Sequence, residues 1–130
     1  MKVTMWTPSI TMLIILALIS AIGCADDVTR FLPSDEESGQ QFTINETYDN
    51  VRNGARLILN YDPNTSAFVG TVENTTNQTL SQVRVEVHLS NGTELGPTTP
   101  RDLAPGEKMD VTLDATGENF STWVAHPEVG

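Results

Sequence analysis

The chain has 130 residues, a length that suits one domain. Its 17 Asp and Glu residues outnumber its 7 Lys and Arg residues, which gives a formal net charge of −10. This balance argues against a nucleic-acid partner, because phosphate binding needs clustered Lys and Arg side chains. It also argues against electrostatic attachment to an anionic membrane surface.

Cys24 is the only cysteine in the chain. A single thiol cannot form an internal disulfide, so the fold has to be held together by its apolar core. A structural zinc site or an iron–sulfur cluster built on four thiolates is excluded for the same reason. We therefore expect no cofactor.

Residues 1–23 have the features of a secretory signal peptide. Lys2 precedes an apolar run of about 13 residues that begins at Ile10, which is the length of a signal-peptide apolar region. A membrane-spanning helix needs about 20 residues. An uncleaved N-terminal membrane helix, with Cys24 incidental, is the alternative. Both interpretations place the rest of the chain outside the cytoplasm.

The end of this segment carries a resemblance. Ala21, Ile22, Gly23 and Cys24 resemble the lipobox of bacterial lipoproteins, although Ala replaces the usual Leu three residues before the cysteine. The resemblance implies that Cys24 receives a lipid and becomes the N-terminus of the mature protein. Two or three acyl chains anchor a protein firmly where one does not. We expect an extracytoplasmic protein on the cell membrane or the outer membrane.

Residues 24–50 are acidic and polar, with no sustained periodicity of apolar residues. Such a composition buries too little apolar surface to offset the entropy of ordering. We predict that residues 24–50 form a lipidated, largely disordered tether. A short strand or turn that docks on the domain through Phe42, Ile44 and Tyr48 is left open.

Residues 51–130 are predicted to form the folded domain. Val83, Val85, Val87 and Leu89 alternate with polar residues, the signature of a half-buried strand. Asn91-Gly92 then predicts a hairpin turn. Strands are predicted at residues 56–61, 67–74, 80–89, 93–95, 108–115 and 120–125.

Six or seven short strands without a helix predict a small antiparallel immunoglobulin-like β-sandwich. Its apolar core is predicted from the inward positions of each strand. These positions are Leu57, Leu59, Phe68, Val72, Val83, Val85, Val87, Leu89, Leu95, Leu103, Met109, Val111, Leu113 and Trp123.

A second resemblance covers residues 55–115. The pattern G-x-V-x-N at Gly70 to Asn74, the hairpin after the third strand and the pattern L-x-P-G at residues 103–106 resemble FxLyD-type domains. These are small β-sandwich modules of bacterial and archaeal surface proteins. The motif that names the family is reduced to Leu89 here. The resemblance implies an extracytoplasmic module and supplies no catalytic residue.

Few side chains suggest chemistry. His88 lies between charged residues on the polar face of the third strand and is predicted to be an ordinary surface residue. His126 and Glu128 are two candidate ligands from one stretch of chain, which is too few for a metal site. No serine lies in a nucleophile elbow, and no glycine-rich phosphate loop is present. We predict no enzyme, with no catalytic, cofactor-binding or metal-binding residues.

The Asn-x-Ser/Thr pattern occurs six times, at more positions than chance predicts. Composition explains much of this excess, because Asn and Thr are both common in turns and strands. Glycosylation is therefore left open. The asparagines are Asn45, Asn64, Asn74, Asn77, Asn91 and Asn119.

The anchor, the linker and the sandwich favour one function. We predict a lipid-anchored, extracytoplasmic, non-catalytic interaction module with an envelope or surface protein as its partner. The alternative is a small-ligand or metal carrier that uses His88, His126 and nearby acidic residues. A hydrolase is disfavoured, since no base is paired with a nucleophile.

Overall fold

The computed structural model describes residues 39–130, which contain nine β-strands. The predicted signal peptide, Cys24 and the first part of the predicted tether lie outside the described residues. The strands are β1 (Phe42–Thr43), β2 (Thr47–Arg52), β3 (Ala55–Asp62), β4 (Ala67–Asn74), β5 (Leu80–Leu89), β6 (Glu94–Leu95), β7 (Arg101–Leu103), β8 (Lys108–Asp114) and β9 (Thr122–Glu128).

The strands form two antiparallel sheets. Sheet A has the order β1-β9-β5-β6, with β7 also paired to β5, and sheet B has the order β2-β3-β4-β8. The two sheets pack against each other, so the predicted all-β sandwich is confirmed. Among residues 39–130, no helix is long and apolar enough to cross a membrane.

The core lies between the sheets and follows the alternation of the strands. In β5, Val83, Val85 and Val87 are fully buried, whereas the residues between them face outward. All predicted core residues are buried except Leu95, which is half-buried against the core from the two-residue strand β6. The prediction missed several further buried apolar residues: Tyr48, Ala55, Ala67, Ala115, Val124 and Ala125.

The predicted start of the folded domain at residue 51 is wrong. Strands β1 and β2 lie largely within residues 24–50, the predicted tether. Only Tyr48 is buried in β2, so its sequence shows no periodicity. Pairing with β3 along its whole length holds β2 in sheet B. Such long-range pairing is invisible in a local pattern.

Contacts between aromatic side chains hold β1 and β2 against the rest of the domain. The Phe42 ring lies 5.4 Å from the Tyr48 ring and 5.3 Å from the Trp123 ring. The Trp123 indole N–H donates a hydrogen bond to the Thr43 carbonyl over 3.0 Å. Phe42 and Tyr48 therefore dock on the domain, whereas Ile44 is exposed.

The last strand also differs from its prediction, because β9 continues to Glu128 instead of ending at residue 125. Pro127 lies within it, opposite Val85. The backbone N–H and C=O of Val85 both bond to Thr98, so this pair exchanges no hydrogen bonds. A proline, which lacks an N–H, is tolerated at such a position. As a result, His126 belongs to a strand.

Candidate functional site

The pairing of β5 with β9 brings Glu86, His88 and His126 together. Glu86 lies opposite His126, and His88 lies opposite Val124. Successive residues of a strand point to opposite faces, and the neighbouring Val85 points into the core. The three polar side chains therefore lie on the outer face of sheet A. We call them the histidine–glutamate cluster.

The three side chains are close enough to share one small ligand. The imidazole rings of His88 and His126 stack with their centroids 5.2 Å apart and their planes at 22°. The Glu86 Oε2 atom lies 3.7 Å from His126 Nε2. One potential ligand atom from each residue lies within 4.8 Å of the others. The cluster thus offers two nitrogens and one carboxylate oxygen within a few ångströms of one another.

The cluster is shielded from solvent to different degrees. The exposed fraction of the side chain is 4% for His126, 15% for Glu86 and 24% for His88. Within the described residues, the His88 Nε2 atom is buried and forms no hydrogen bond. A buried polar atom without a partner costs about 1–3 kcal/mol, so this nitrogen is a natural contact point for a ligand.

Two more carboxylates border the cluster. Glu94 lies 3.8 Å from His88 Nδ1, and Glu128 lies 3.8 Å from His126 Nε2 while also pairing with Arg84. Burial raises the pKa of Glu86, and repulsion from the Glu128 and Glu94 carboxylates raises it further. The guanidinium of Arg84 acts in the opposite direction. Three carboxylates lie in and around the cluster and Arg84 pairs with one of them, so the excess of negative charge favours an added positive charge.

Two open clefts give access from either side. A cleft of about 280 Å³ is lined by His88, Glu94 and Val124, among others. A second cleft, of about 290 Å³, is lined by His126 together with Tyr48 and other residues. A small solute can therefore reach the cluster without opening the core.

The structure changes the interpretation of both histidines. His88 lies on the outer face of the sheet as predicted, but its ring is mostly covered and packs on His126. From the sequence, His126 was considered as a metal ligand together with Glu128. In the structure it also faces Glu86 on the neighbouring strand. The sequence contained a usable signal, because Glu86 and His88 share one strand face. It did not contain the register between β5 and β9, which brings His126 next to these two residues.

Cys24, the predicted lipid-bearing residue, lies outside the described residues. No protein-family model matches the chain, and comparisons with curated proteins and with solved structures give no match.

Proposed function

We propose that this protein is a non-catalytic interaction module held on the outer side of a membrane by a lipid on Cys24. The observation that carries the proposal is the position of the single cysteine. Cys24 directly follows an apolar run and the small residue Gly23. A chain with one thiol cannot form an internal disulfide, and lipidation gives this thiol a role. The resemblance to FxLyD-type surface modules supports the same location.

The structure sets how far such a domain can extend from its anchor. The first strand begins at Phe42, so residues 25–41 connect it to Cys24. A fully extended segment of this length spans at most about 60 Å. In the anchored protein, the start of the first strand therefore lies within that distance of the membrane surface.

The surface around β2 is the best candidate for the contact with a partner. Ile44 and Val51 are the exposed large hydrophobic residues of the described chain, with exposed fractions of 40% and 51%. Val51 also lines the second cleft, beside Phe42 and Tyr48. The Val51 backbone N–H is already bonded to Asn50 Oδ1 over 2.8 Å. We infer that an envelope protein inserts an apolar side chain here.

The anchor is tested by measuring the intact mass of the protein from its native membrane, with and without mild base. We expect a chain that begins at Cys24 and carries acyl groups, of which ester-linked ones are lost in base. The variant Cys24→Ser should have the mass of the unlipidated chain. When membranes are dissolved and separated into a detergent phase and a water phase, this variant should no longer enter the detergent phase. A full-length, unlipidated wild-type chain would instead establish an N-terminal membrane helix.

The contact surface is tested separately with a photo-crosslinking amino acid. It replaces Val51 in one variant and Thr112, an exposed residue of edge strand β8, in a matched variant. In native membranes we expect a discrete crosslinked product from position 51 and none from position 112. A crosslinker at Ile44, on the same surface, should capture the same partner, and the added change Val51→Asp should abolish that capture. Identical products from positions 51 and 112 would argue against a specific partner.

A further inference from the structure

We propose that Glu86, His88 and His126 form a binding site for one divalent transition-metal ion of the Zn²⁺ class. This site goes beyond the proposed interaction module, because it needs neither the lipid on Cys24 nor a protein partner. It is carried by three observations in the described residues: the convergence of three ligand groups, a buried nitrogen without a hydrogen bond, and an excess of carboxylates around it.

The donor atoms indicate the class of metal. Two imidazole nitrogens and one carboxylate oxygen form a donor set that Zn²⁺ uses in proteins, with water completing the coordination. Ca²⁺ and Mg²⁺ prefer sites made of oxygen atoms alone. Imidazole ligands also suit Cu²⁺ and Ni²⁺. The cluster therefore selects first-row transition metals over the alkaline-earth ions.

The distances are close to those of a metal site, though not equal to them. With metal–ligand bonds of about 2.0–2.2 Å, the ligand atoms of a tetrahedral site lie about 3.3 Å apart. Glu86 Oε2 and His126 Nε2 are 3.7 Å apart, and the whole set falls within 4.8 Å. The most distant ligand atom has to move by about 1.5 Å.

His88 is the residue that supplies this movement. Stacked imidazole rings direct their nitrogen lone pairs side by side, so the stack has to open before both rings bind one ion. The His88 ring is more exposed than that of His126 and lines an open cleft. A turn of this side chain can bring its nitrogen toward Glu86 without disturbing the core.

The surrounding carboxylates fit the outer layer of a metal site. Histidine ligands commonly donate their second ring N–H to a carboxylate, which fixes the ring and strengthens its bond to the metal. Glu94 lies 3.8 Å from His88 Nδ1 and is suited to that role. The buried Nε2 atom of His88 is then left for the metal.

The competing explanation is that the histidines only pack on the sheet and share protons with the nearby carboxylates. Titration with Zn²⁺ distinguishes the two. The protein is the full chain carrying Cys24→Ser, which removes the only thiol, and it is purified without a histidine tag. Calorimetry with Zn²⁺ alone is followed by NMR of the imidazole ¹⁵N signals. Ca²⁺ alone serves as the comparison ion.

We expect one Zn²⁺ per chain and a joint shift of the signals of both histidines. Glu86→Gln and His88→Gln should each weaken binding at least about tenfold. Glu73→Gln removes the same charge from a carboxylate of sheet B, beside Lys108, and should leave binding unchanged. His126 is not substituted, because its ring is buried in the fold. Circular dichroism confirms that each variant is folded.

Three results would overturn the proposal. The first is the absence of Zn²⁺ binding to the folded parent chain. The second is equal Zn²⁺ affinity in the parent chain and the Glu86→Gln and His88→Gln variants. The third is Ca²⁺ binding as tight as Zn²⁺ binding, which would reveal a general acidic surface. None of these results bears on the lipid at Cys24, so the two proposals fail independently.

Discussion

The side-chain amide of Asn74 donates a hydrogen bond to the carbonyl oxygen of Leu103 over 2.9 Å. The same amide group bonds the Gln78 carbonyl, and its oxygen accepts bonds from the backbone and side chain of Thr76. Asn74 is completely buried, yet every polar atom of its side chain is satisfied. It ends the G-x-V-x-N pattern, and Leu103 begins the L-x-P-G pattern. The two patterns that carry the family resemblance therefore meet at this bond.

Replacing Asn74 by alanine should strongly destabilise the domain. The change leaves the Leu103 carbonyl without its donor and opens a small cavity, for an expected loss of about 3 kcal/mol. The measurement is urea unfolding followed by Trp fluorescence. Asn77→Ala, three residues away and exposed, is the control and should change stability by less than about 0.5 kcal/mol. A loss of less than 1 kcal/mol for Asn74→Ala would contradict the role of this network.

The same geometry predicts which Asn-x-Ser/Thr sites can carry a glycan. The Asn74 amide nitrogen is buried and bonded, so folded protein produced in a glycosylating host should carry none there. Mass spectrometry of the glycopeptides is the measurement. A glycan on Asn74 in folded, soluble protein would contradict the structure. The five remaining sites are all exposed: Asn45, Asn64, Asn77, Asn91 and Asn119.

Truncation tests the boundary of the domain. A chain that starts at residue 51 lacks Phe42 and Tyr48, which pack on each other and, through Phe42, on Trp123. Full burial of one such side chain contributes about 1.5–3 kcal/mol, so buried Tyr48 and partly buried Phe42 together supply a large share of the 5–15 kcal/mol typical of a domain. We expect cooperative thermal unfolding for residues 39–130 and none for residues 51–130. Equal unfolding temperatures would show that β1 and β2 are dispensable.

Glu86→Gln should raise the unfolding temperature of the metal-free protein at neutral pH. The pKa of Glu86 is raised, chiefly by burial, so the fold disfavours its ionised form. A neutral side chain of the same shape removes that penalty and the repulsion from Glu94 and Glu128. The unfolding temperatures are measured by differential scanning calorimetry, with a chelator present to keep the protein free of metal. If the variant unfolds at a lower temperature, the Glu86 carboxylate supports the fold in its charged form.

Acid should destabilise the domain partly through Asp62. The Asn64 backbone N–H donates to Asp62, as do the Thr65 hydroxyl and the Asn64 side-chain amide, and these bonds lower the pKa of its carboxyl from its usual value. A lowered pKa stabilises the fold above the unfolded-state value of about 3.9, and this stability is lost as the pH falls through the folded-state value. Asp62→Asn keeps the acceptor oxygen but cannot titrate.

Unfolding temperatures between pH 5 and pH 2 provide the test. We expect the wild-type protein to lose more stability over this range than Asp62→Asn. Glu118→Gln, at another turn, serves as a control for the loss of one charge. Parallel curves for the wild type and Asp62→Asn would contradict the assignment.

Much of the sandwich was predictable because strand alternation is a local property. Strands β4 and β5 have the bounds predicted from the sequence, residues 67–74 and 80–89, and the valines of β5 are buried as expected. Strand β2 was missed, since it buries only Tyr48 and its remaining residues read as a polar linker. Its stability comes from a partner strand, which no local pattern reveals.

The candidate site, like the fold, was predictable from the sequence only in part. The sequence alone determined that the chain is acidic, that it has no internal disulfide, and that Glu86 and His88 share one face of one strand. Only the tertiary structure decided that His126 lies opposite Glu86 and stacks on His88. The reason is that register between distant strands is set by core packing across the whole sheet. A shift of one residue would turn His126 to the other face.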